Sequence, residues 1–326
     1  AFGERGEARR GSDTIRPGHE SRSEWYGHVN ILGGREMIRP LSIGTMYANS
    51  PEAYPHPAVL FEQGRKVGAT VGYAHFSGSM PHSTLLMDLA LGTIDFVEVF
   101  QFGVLKTREW YDVLNAGFRV SGIAGSDFPV GLNRQGDWPR WIPLLGPERT
   151  LVRNGGGSPY EAWAAGVRRG EALVTNGPLV EVKLDRAAST VSATARFYRP
   201  IEVLEIVRNA EVAAAVPGDG EKRSLAASVR IECPESCWVA ARAKAKKEEN
   251  EPEIQGHTHP VFWIRDGKAV NVGGAREALA SRWAAEVDYY RNAALRFPSA
   301  ARREEFFAAA GRALEVLRQP VWRQQD

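Results

Sequence analysis

The chain has 326 residues, a length that suits two or three domains. Hydrophobic residues make up 43% of it and charged residues 25%, so it can bury a sizeable core. The 41 basic and 39 acidic residues leave a formal charge of +2, which argues against nucleic acid or an anionic membrane as the main partner. No apolar run approaches the roughly 20 residues of a membrane-spanning helix. We therefore expect an ordinary globular protein whose main partner is neither nucleic acid nor a membrane, and whose oligomeric state is undetermined.

Neither the N-terminus nor the two cysteines identifies the cellular compartment. The sequence begins at Ala1 rather than Met and has no apolar signal-peptide core, which indicates a processed start or a gene fragment. Cys233 and Cys237 lack the two further ligands that a zinc site would need nearby. Two buried thiols are favoured over a small loop disulfide. A cytoplasmic and an exported location both remain open.

The first half of the chain alternates short apolar runs with helical patterns, which predicts βα units around a parallel sheet. The predicted strands are His28–Leu32, Thr70–His75, Asp95–Phe100, Arg119–Ala124 and Ala172–Thr175. The predicted helices are Ala58–Lys66, Thr84–Leu91, Thr107–Ala116 and Pro159–Arg169. These strands are fewer than the roughly eight of a closed β/α barrel. We therefore expect residues 1–177 to form an α/β barrel that is incomplete at its N-terminus.

After Gly177-Pro178 the pattern changes to short β-branched segments separated by turn residues, which predicts a small antiparallel β-sandwich over residues 178–272. Its predicted strands are Leu179–Leu184, Thr190–Phe197, Ile201–Arg208, Glu211–Ala215, Ser224–Ile231, Cys237–Ala243 and Pro260–Arg265. From Ala275 the apolar and aromatic residues take helical spacing, with an interruption at Pro298. Residues 273–326 are therefore predicted to be a C-terminal helical segment.

Histidines and carboxylates at strand ends suggest a metal site. His75 ends one predicted strand and Asp127 follows another, and side chains just past the carboxyl ends of parallel strands face a shared crevice. Glu20 and His28 form a second pair, in which a carboxylate could bridge two cations and an imidazole could bind one. The competing interpretation of each residue alone is ordinary: a turn at Asp127, a loop glutamate, a hydrogen-bonded histidine. Taken together, the four residues favour a metal site over these ordinary roles.

Several segments resemble the CehA/McbA-type metallohydrolases of the PHP (polymerase and histidinol phosphatase) superfamily, and their order and spacing are more specific than any one of them. They extend from about Pro17 to about Val270. In chain order they are Pro17-Gly18-His19-Glu20, Gly27-His28-Val29-Asn30, Gly72-Tyr73-Ala74-His75, Asp95-Phe96-Val97-Glu98-Val99, Trp110-Tyr111-Asp112-Val113-Leu114-Asn115-Ala116-Gly117, Ala124-Gly125-Ser126-Asp127, Thr175-Asn176-Gly177-Pro178 and His257-Thr258-His259-Pro260-Val261.

The resemblance implies a distorted (β/α)7 barrel that holds one to three divalent ions, zinc, manganese or iron. The metal ligands that it implies are Glu20, His28, His75 and Asp127. Many PHP proteins have a histidine two residues after the aspartate, where this chain has Pro129, and His82 is a candidate substitute or substrate contact. The family's opening His-x-His and Thr-Asp-His strands do not occur in this sequence. We therefore expect the chain to be an N-terminally truncated fragment.

The activity that the resemblance implies is the hydrolysis of a small-molecule substrate, a phosphoester or a carbamate or carboxylic ester, by a metal-bound water. Glu20 and Asp127 are the candidate catalytic residues, Glu20 bridging ions and Asp127 acting as ligand or base. Arg149 and Arg153 could hold an anionic part of the substrate, although each taken singly is more often a plain surface charge.

A second hypothesis is a non-catalytic binding protein with a degenerate PHP barrel. Its sandwich would bind carbohydrate or a partner, and Trp238 and Trp263 would be the candidate contacts. Core packing is favoured over binding for both tryptophans.

Overall fold

The computed structural model describes residues 6–11, 13–77, 80–127, 145–153 and 158–319. The contacts between residues divide the chain into two compact units. The first unit consists of the described residues of Ala1–Val97, Asn154–Arg168 and Gly274–Trp322. The second unit consists of those of Glu98–Arg153 and Arg169–Gly273.

Strands are numbered in chain order. They are β1 (Ala8–Arg10), β2 (Asp13–Ile15), β3 (Gly18–Ser23), β4 (Val29–Leu32), β5 (Ser42–Ile43), β6 (Thr70–Tyr73), β7 (Phe96–Gln101), β8 (Val104–Leu105), β9 (Ser121–Ala124), β10 (Arg149–Val152), β11 (Ala172–Thr175), β12 (Leu179–Asp185), β13 (Thr190–Arg196), β14 (Ile201–Arg208), β15 (Glu211–Pro217), β16 (Ser224–Arg230), β17 (Cys237–Ala245), β18 (Ile254–Thr258) and β19 (Val261–Trp263). The helices are α1 (Thr45–Ala48), α2 (Pro57–Lys66), α3 (Leu85–Ala90), α4 (Thr107–Asn115), α5 (Pro159–Arg169), α6 (Ala275–Asn292) and α7 (Ala300–Arg318).

The sheet of the first unit is mixed. Its order is β5-β3-β4-β6, followed by the first residues of β7, with β3–β4 and β4–β6 antiparallel and β3–β5 and β6–β7 parallel. The prediction of an α/β barrel is therefore wrong: the described residues form several sheets and no closed barrel. A parallel neighbour needs a crossover of a dozen or more residues, whereas only residues 24–28 separate β3 from β4. The sequence pattern missed β3, so this antiparallel pair was not foreseen.

Helices α6 and α7 form the hairpin that the sequence predicts, with the break next to Pro298. The side chain of Ser299 caps α7 by accepting a hydrogen bond from the backbone N–H of Arg302. Trp283 on α6 is buried and donates from Nε1 to the carbonyl of Ala310 on α7, at 2.9 Å. Among the described residues, no helix has the length and apolar character required to cross a membrane.

The second unit contains two antiparallel sheets that share a core. The smaller sheet is β12-β13-β16, and the larger is β10-β11-β18-β17-β14-β15 with β19 paired to β17. Val191 of the smaller sheet and Leu204, Ile206 and Val239 of the larger sheet are fully buried in one apolar cluster. The predicted strands of this region are present, and β10 and β18 join them although the sequence pattern did not indicate either.

Cys233, Cys237, Trp238 and Trp263 are buried in the core of the second unit. Cys233 and Cys237 are joined by a disulfide, so the prediction of two free thiols is wrong, although both sulfurs are buried as expected. Their Cα atoms lie 6.3 Å apart across a turn, within the range that a disulfide can span. Trp238 and Trp263 are buried, which confirms core packing for both.

Candidate metal centre

Glu20, His28 and His75 come together at one end of the first unit's sheet. Glu20 lies on β3, His28 immediately precedes β4, and His75 follows β6 by two residues. Because β4 and β6 are antiparallel neighbours, the start of one lies beside the end of the other. The backbone N–H of Ala74 donates to the carbonyl of His28 at 3.1 Å, which extends this pairing as far as the two histidines.

The three side chains form a compact buried group. Oε1 of Glu20 lies 2.9 Å from Nδ1 of His28, and the ring centroids of His28 and His75 are 5.3 Å apart. One nitrogen or oxygen ligand atom from each residue lies within 4.8 Å of the other two. The histidine side chains are 8% exposed and the Glu20 side chain is 18% exposed. This group can hold a metal ion.

The environment of His28 fits a metal ligand. Its Nδ1 is buried and has no hydrogen-bond partner of acceptable geometry, although Glu20 Oε1 is only 2.9 Å away. Two ligand atoms on one ion lie roughly 3 Å apart when each is about 2.1 Å from the metal. The opposite nitrogen, Nε2, is 3.0 Å from the hydroxyl of Tyr47. Such an outer contact fixes the ring of a metal-binding histidine.

The charge on Glu20 is favoured by its neighbours. Burial acts to raise the pKa of Glu20, but its close contact with His28 and the nearby His75 and Arg22 hold that pKa below its ordinary value. Nε of Arg22 donates to Oε1 of Glu20 at 3.1 Å. The carboxylate is therefore ionised, as a metal ligand must be.

The backbone at His75 adopts an uncommon conformation. His75 and Phe76 have φ angles of 55° and 45° in the short turn that follows β6. Left-handed conformations are unfavourable for such bulky residues and concentrate at active sites and ligand clamps. The Phe76 side chain is buried, and this packing helps to keep the strained turn in place.

The other proposed site residues are not members of this group. His82, also in the first unit, is outside the cluster: its ring stacks on Tyr289 with centroids 3.3 Å apart, and its Nδ1 lies 3.1 Å from a carboxylate oxygen of Glu286. Asp127, Arg149 and Arg153 belong to the second unit. Asp127 follows β9 and has a φ of 50°.

Two residues around the cluster, Arg22 and Tyr47, were not predicted from the sequence. Arg22 shares a strand face with Glu20, an alternation that would have been visible had β3 been recognised. Tyr47 lies on the short α1, and its sequence neighbourhood carries no signal of the contact with His28. Pro129 falls outside the described residues.

Comparisons of the chain with protein-family models, with curated proteins and with solved structures found no match. The case for a function therefore depends on the residues of this cluster.

Proposed function

We propose that this chain is a metal-dependent hydrolase whose ion is held by Glu20, His28 and His75. The observation that carries the proposal is the buried group itself, with one carboxylate and two imidazoles close enough to share an ion. Two histidines and one glutamate are a known donor set of catalytic zinc sites, in which the fourth position is open to water. The same donors also bind non-haem iron, so zinc, manganese and iron are all candidates.

The resemblance to the CehA/McbA-type metallohydrolases supports this proposal independently of the geometry. It selects the same three residues from motifs that are separated by up to 55 positions in the sequence. It also suggests the substrate class, a phosphoester or a carbamate or carboxylic ester. Asp127 is not a member of the buried group, and it enters through its position after a predicted strand and through the resemblance, which gives it the role of a further ligand or base.

The residues of the chain have distinct tasks in this proposal. A divalent ion would supply a Lewis acid and lower the pKa of a water molecule bound to it. Glu20 supplies the negative charge of the ligand set, and Arg22 orients its carboxylate. Tyr47 fixes the ring of His28, and the buried turn at Phe76 presents His75. Arg22 is 43% exposed on its side chain, so it can also face an anionic substrate group.

Metal analysis of purified variants tests the site. The wild-type protein should retain about one equivalent of zinc, manganese or iron after desalting, and Glu20→Gln, His28→Ala and His75→Ala should each lose most of it. His82→Ala is the matched control because it removes a histidine of the same unit outside the cluster. Equal metal content in all five proteins would contradict the site.

Hydrolysis assays test the activity separately. The metal-loaded wild type should cleave at least one of p-nitrophenyl phosphate, bis-p-nitrophenyl phosphate, p-nitrophenyl acetate and an aryl carbamate, and the three cluster variants should lose that activity. Metal binding without cleavage of any of these compounds would leave the metal site standing and favour the non-catalytic binding protein.

A further inference from the structure

A cleft runs beside two strands at the edges of the second unit's sheets. Strand β10 is the outer strand of the larger sheet, and β12 is the outer strand of the smaller sheet. Residues of both strands line two depressions with volumes of about 470 and 460 Å³. The depressions share Leu151, Leu179 and Arg196, so they adjoin each other, and the two together are called the cleft. Each volume lies within the range of small-molecule sites, about 300 to 1,000 Å³.

The depression of 470 Å³ is mainly apolar. Leu173, Val180, Val182 and Val261 line it and also pack against the core cluster of the second unit. Its polar lining residues include Thr194, Thr258 and His259. The surface of the cleft is apolar as well, since Leu179 is 52% exposed and Tyr198 is 66% exposed. Exposed large apolar side chains that line a cavity indicate a binding surface.

The charges around the cleft favour an anion. Its two acidic residues already have cationic partners: Nη2 of Arg153 lies 2.5 Å from Oε1 of Glu181, and Arg169 pairs with Glu171. Arg149 and Arg196 also line the cleft, and neither has an acidic partner among the residues that the structure describes. Both contribute to the depression of 460 Å³, which adjoins the apolar one. The cleft therefore presents unneutralised positive charge next to an apolar cavity.

We propose that this cleft binds an amphipathic anion with a single aliphatic tail. The tail would occupy the apolar depression against Val180 and Val182, and the anionic head would lie against the guanidinium groups of Arg149 and Arg196. Arginine pairs with carboxylates and phosphates through parallel hydrogen bonds, so a fatty carboxylate and an alkyl phosphate are both suitable. The proposal does not depend on the metal centre, whose residues lie in the other unit.

Calorimetric titration of the whole protein with four ten-carbon ligands tests both parts of the proposal. Decanoate or decyl phosphate should bind with a stoichiometry of one, and the tighter of the two identifies the head group. Decanol should bind about tenfold more weakly because it lacks the charge, and decyltrimethylammonium should not bind measurably. Equal affinities for decanol and both anions, or no binding of any ligand, would overturn the proposal.

Variants locate the site. Arg196→Gln should weaken binding of the preferred anion about tenfold and leave the affinity for decanol unchanged. Arg230→Gln, on exposed β16 and outside the cleft, is the matched control and should bind like the wild type. Val182→Trp should fill the cavity and abolish binding of decanoate and decanol alike, with the melting temperature recorded to verify folding. If Arg196→Gln binds the preferred anion with wild-type affinity, the cleft is not the binding site, whether or not Val182→Trp folds.

Discussion

The two units differ in how they arrange their buried ionisable groups. In the second unit the core cluster between the antiparallel sheets consists of aliphatic side chains, Trp263 and the disulfide. That unit also buries Glu98, Glu148, His257 and His259, but no three of its described residues form a possible metal group. In the first unit Glu20, His28 and His75 form such a group, and Asp88 is buried on α3.

This difference suggests a division of labour. Burying an ionisable group costs free energy unless it is paired, hydrogen-bonded or bound to a metal. Such groups concentrate where a protein performs chemistry, although structural networks contain them too. The gathered ligand atoms make the first unit the candidate for metal binding, and the second unit supplies an apolar core with a cleft at its strand edges. Four experiments can break or sharpen this contrast.

The largest effect is expected from truncation of the second unit's core. Leu204 on β14 is fully buried in the apolar cluster, so Leu204→Ala should lower the free energy of unfolding of this unit by about 2 to 5 kcal/mol. Urea denaturation followed by circular dichroism measures the change. Val212→Ala on β15, where the side chain is 46% exposed, is the control and should change stability by less than about 0.5 kcal/mol. Similar effects of the two substitutions would contradict the assigned core.

The buried carboxyl of the first unit predicts an unusual dependence of stability on pH. Burial raises the pKa of Asp88 to about 6, against the opposing hydrogen bonds from Thr93, Tyr73 and Thr84 and the charge of Arg65. The folded state therefore holds the proton more tightly than the unfolded state. This contribution is fully present below about pH 4 and is lost as the pH rises to about 6. Its size is about 3 kcal/mol, which follows from the difference between the raised pKa of about 6 in the folded state and the ordinary value of 3.8 in the unfolded chain.

The variant Asp88→Asn isolates this contribution, because an amide has similar size and does not titrate. Between pH 4 and pH 7, the free energy of unfolding of the wild type should fall by about 2.5 kcal/mol relative to that of Asp88→Asn. Asp288→Asn, an exposed position on α6, is the control for charge removal. A difference that does not change with pH would show that Asp88 has no raised pKa.

Local elements could be predicted from the sequence better than their arrangement. Pro159–Arg169, Ala172–Thr175 and Ile201–Arg208 have the predicted bounds, because their apolar periodicity is set by residues close in sequence. Strand β3 was missed since Gly-His-Glu-Ser-Arg-Ser has no apolar alternation, and its pairing with β4 is what makes it a strand. Pairing direction depends on such distant partners, and for that reason the barrel prediction failed.

The three ligands of the candidate site could also be predicted from the sequence, whereas their surroundings could not. His75 was selected because it ends a predicted strand, and Glu20 and His28 were selected as a carboxylate and an imidazole close in sequence. Neither choice required the strands to be parallel around a barrel, so both survived the wrong topology. The contacts of Arg22 and Tyr47 depend on β3 and α1, neither of which has a clear sequence pattern. The role of Asp127 stays a prediction.

The disulfide of the second unit should have a moderate effect on stability. A loop closed over a separation of four residues removes little entropy from the unfolded chain, and the chain-entropy model gives about 2 kcal/mol. The double variant Cys233→Ser/Cys237→Ser should be less stable by that amount. Alkylation of the denatured protein before and after reduction should count no thiols and then two. Two thiols without reductant, in protein purified under oxidising conditions, would contradict the bond.

The smallest predicted effect tests how far the metal centre extends beyond its ligands. Tyr47→Phe removes the hydroxyl 3.0 Å from Nε2 of His28 and keeps the ring that packs edge-on against the imidazole. Loss of an outer contact of this kind costs about 10- to 100-fold in metal affinity. Competition with a zinc chelator should therefore place Tyr47→Phe between the wild type and His28→Ala. If Tyr47→Phe binds zinc with wild-type affinity, Glu20 rather than Tyr47 orients His28. The contrast between the two units would then depend on the three ligands and Asp88 alone.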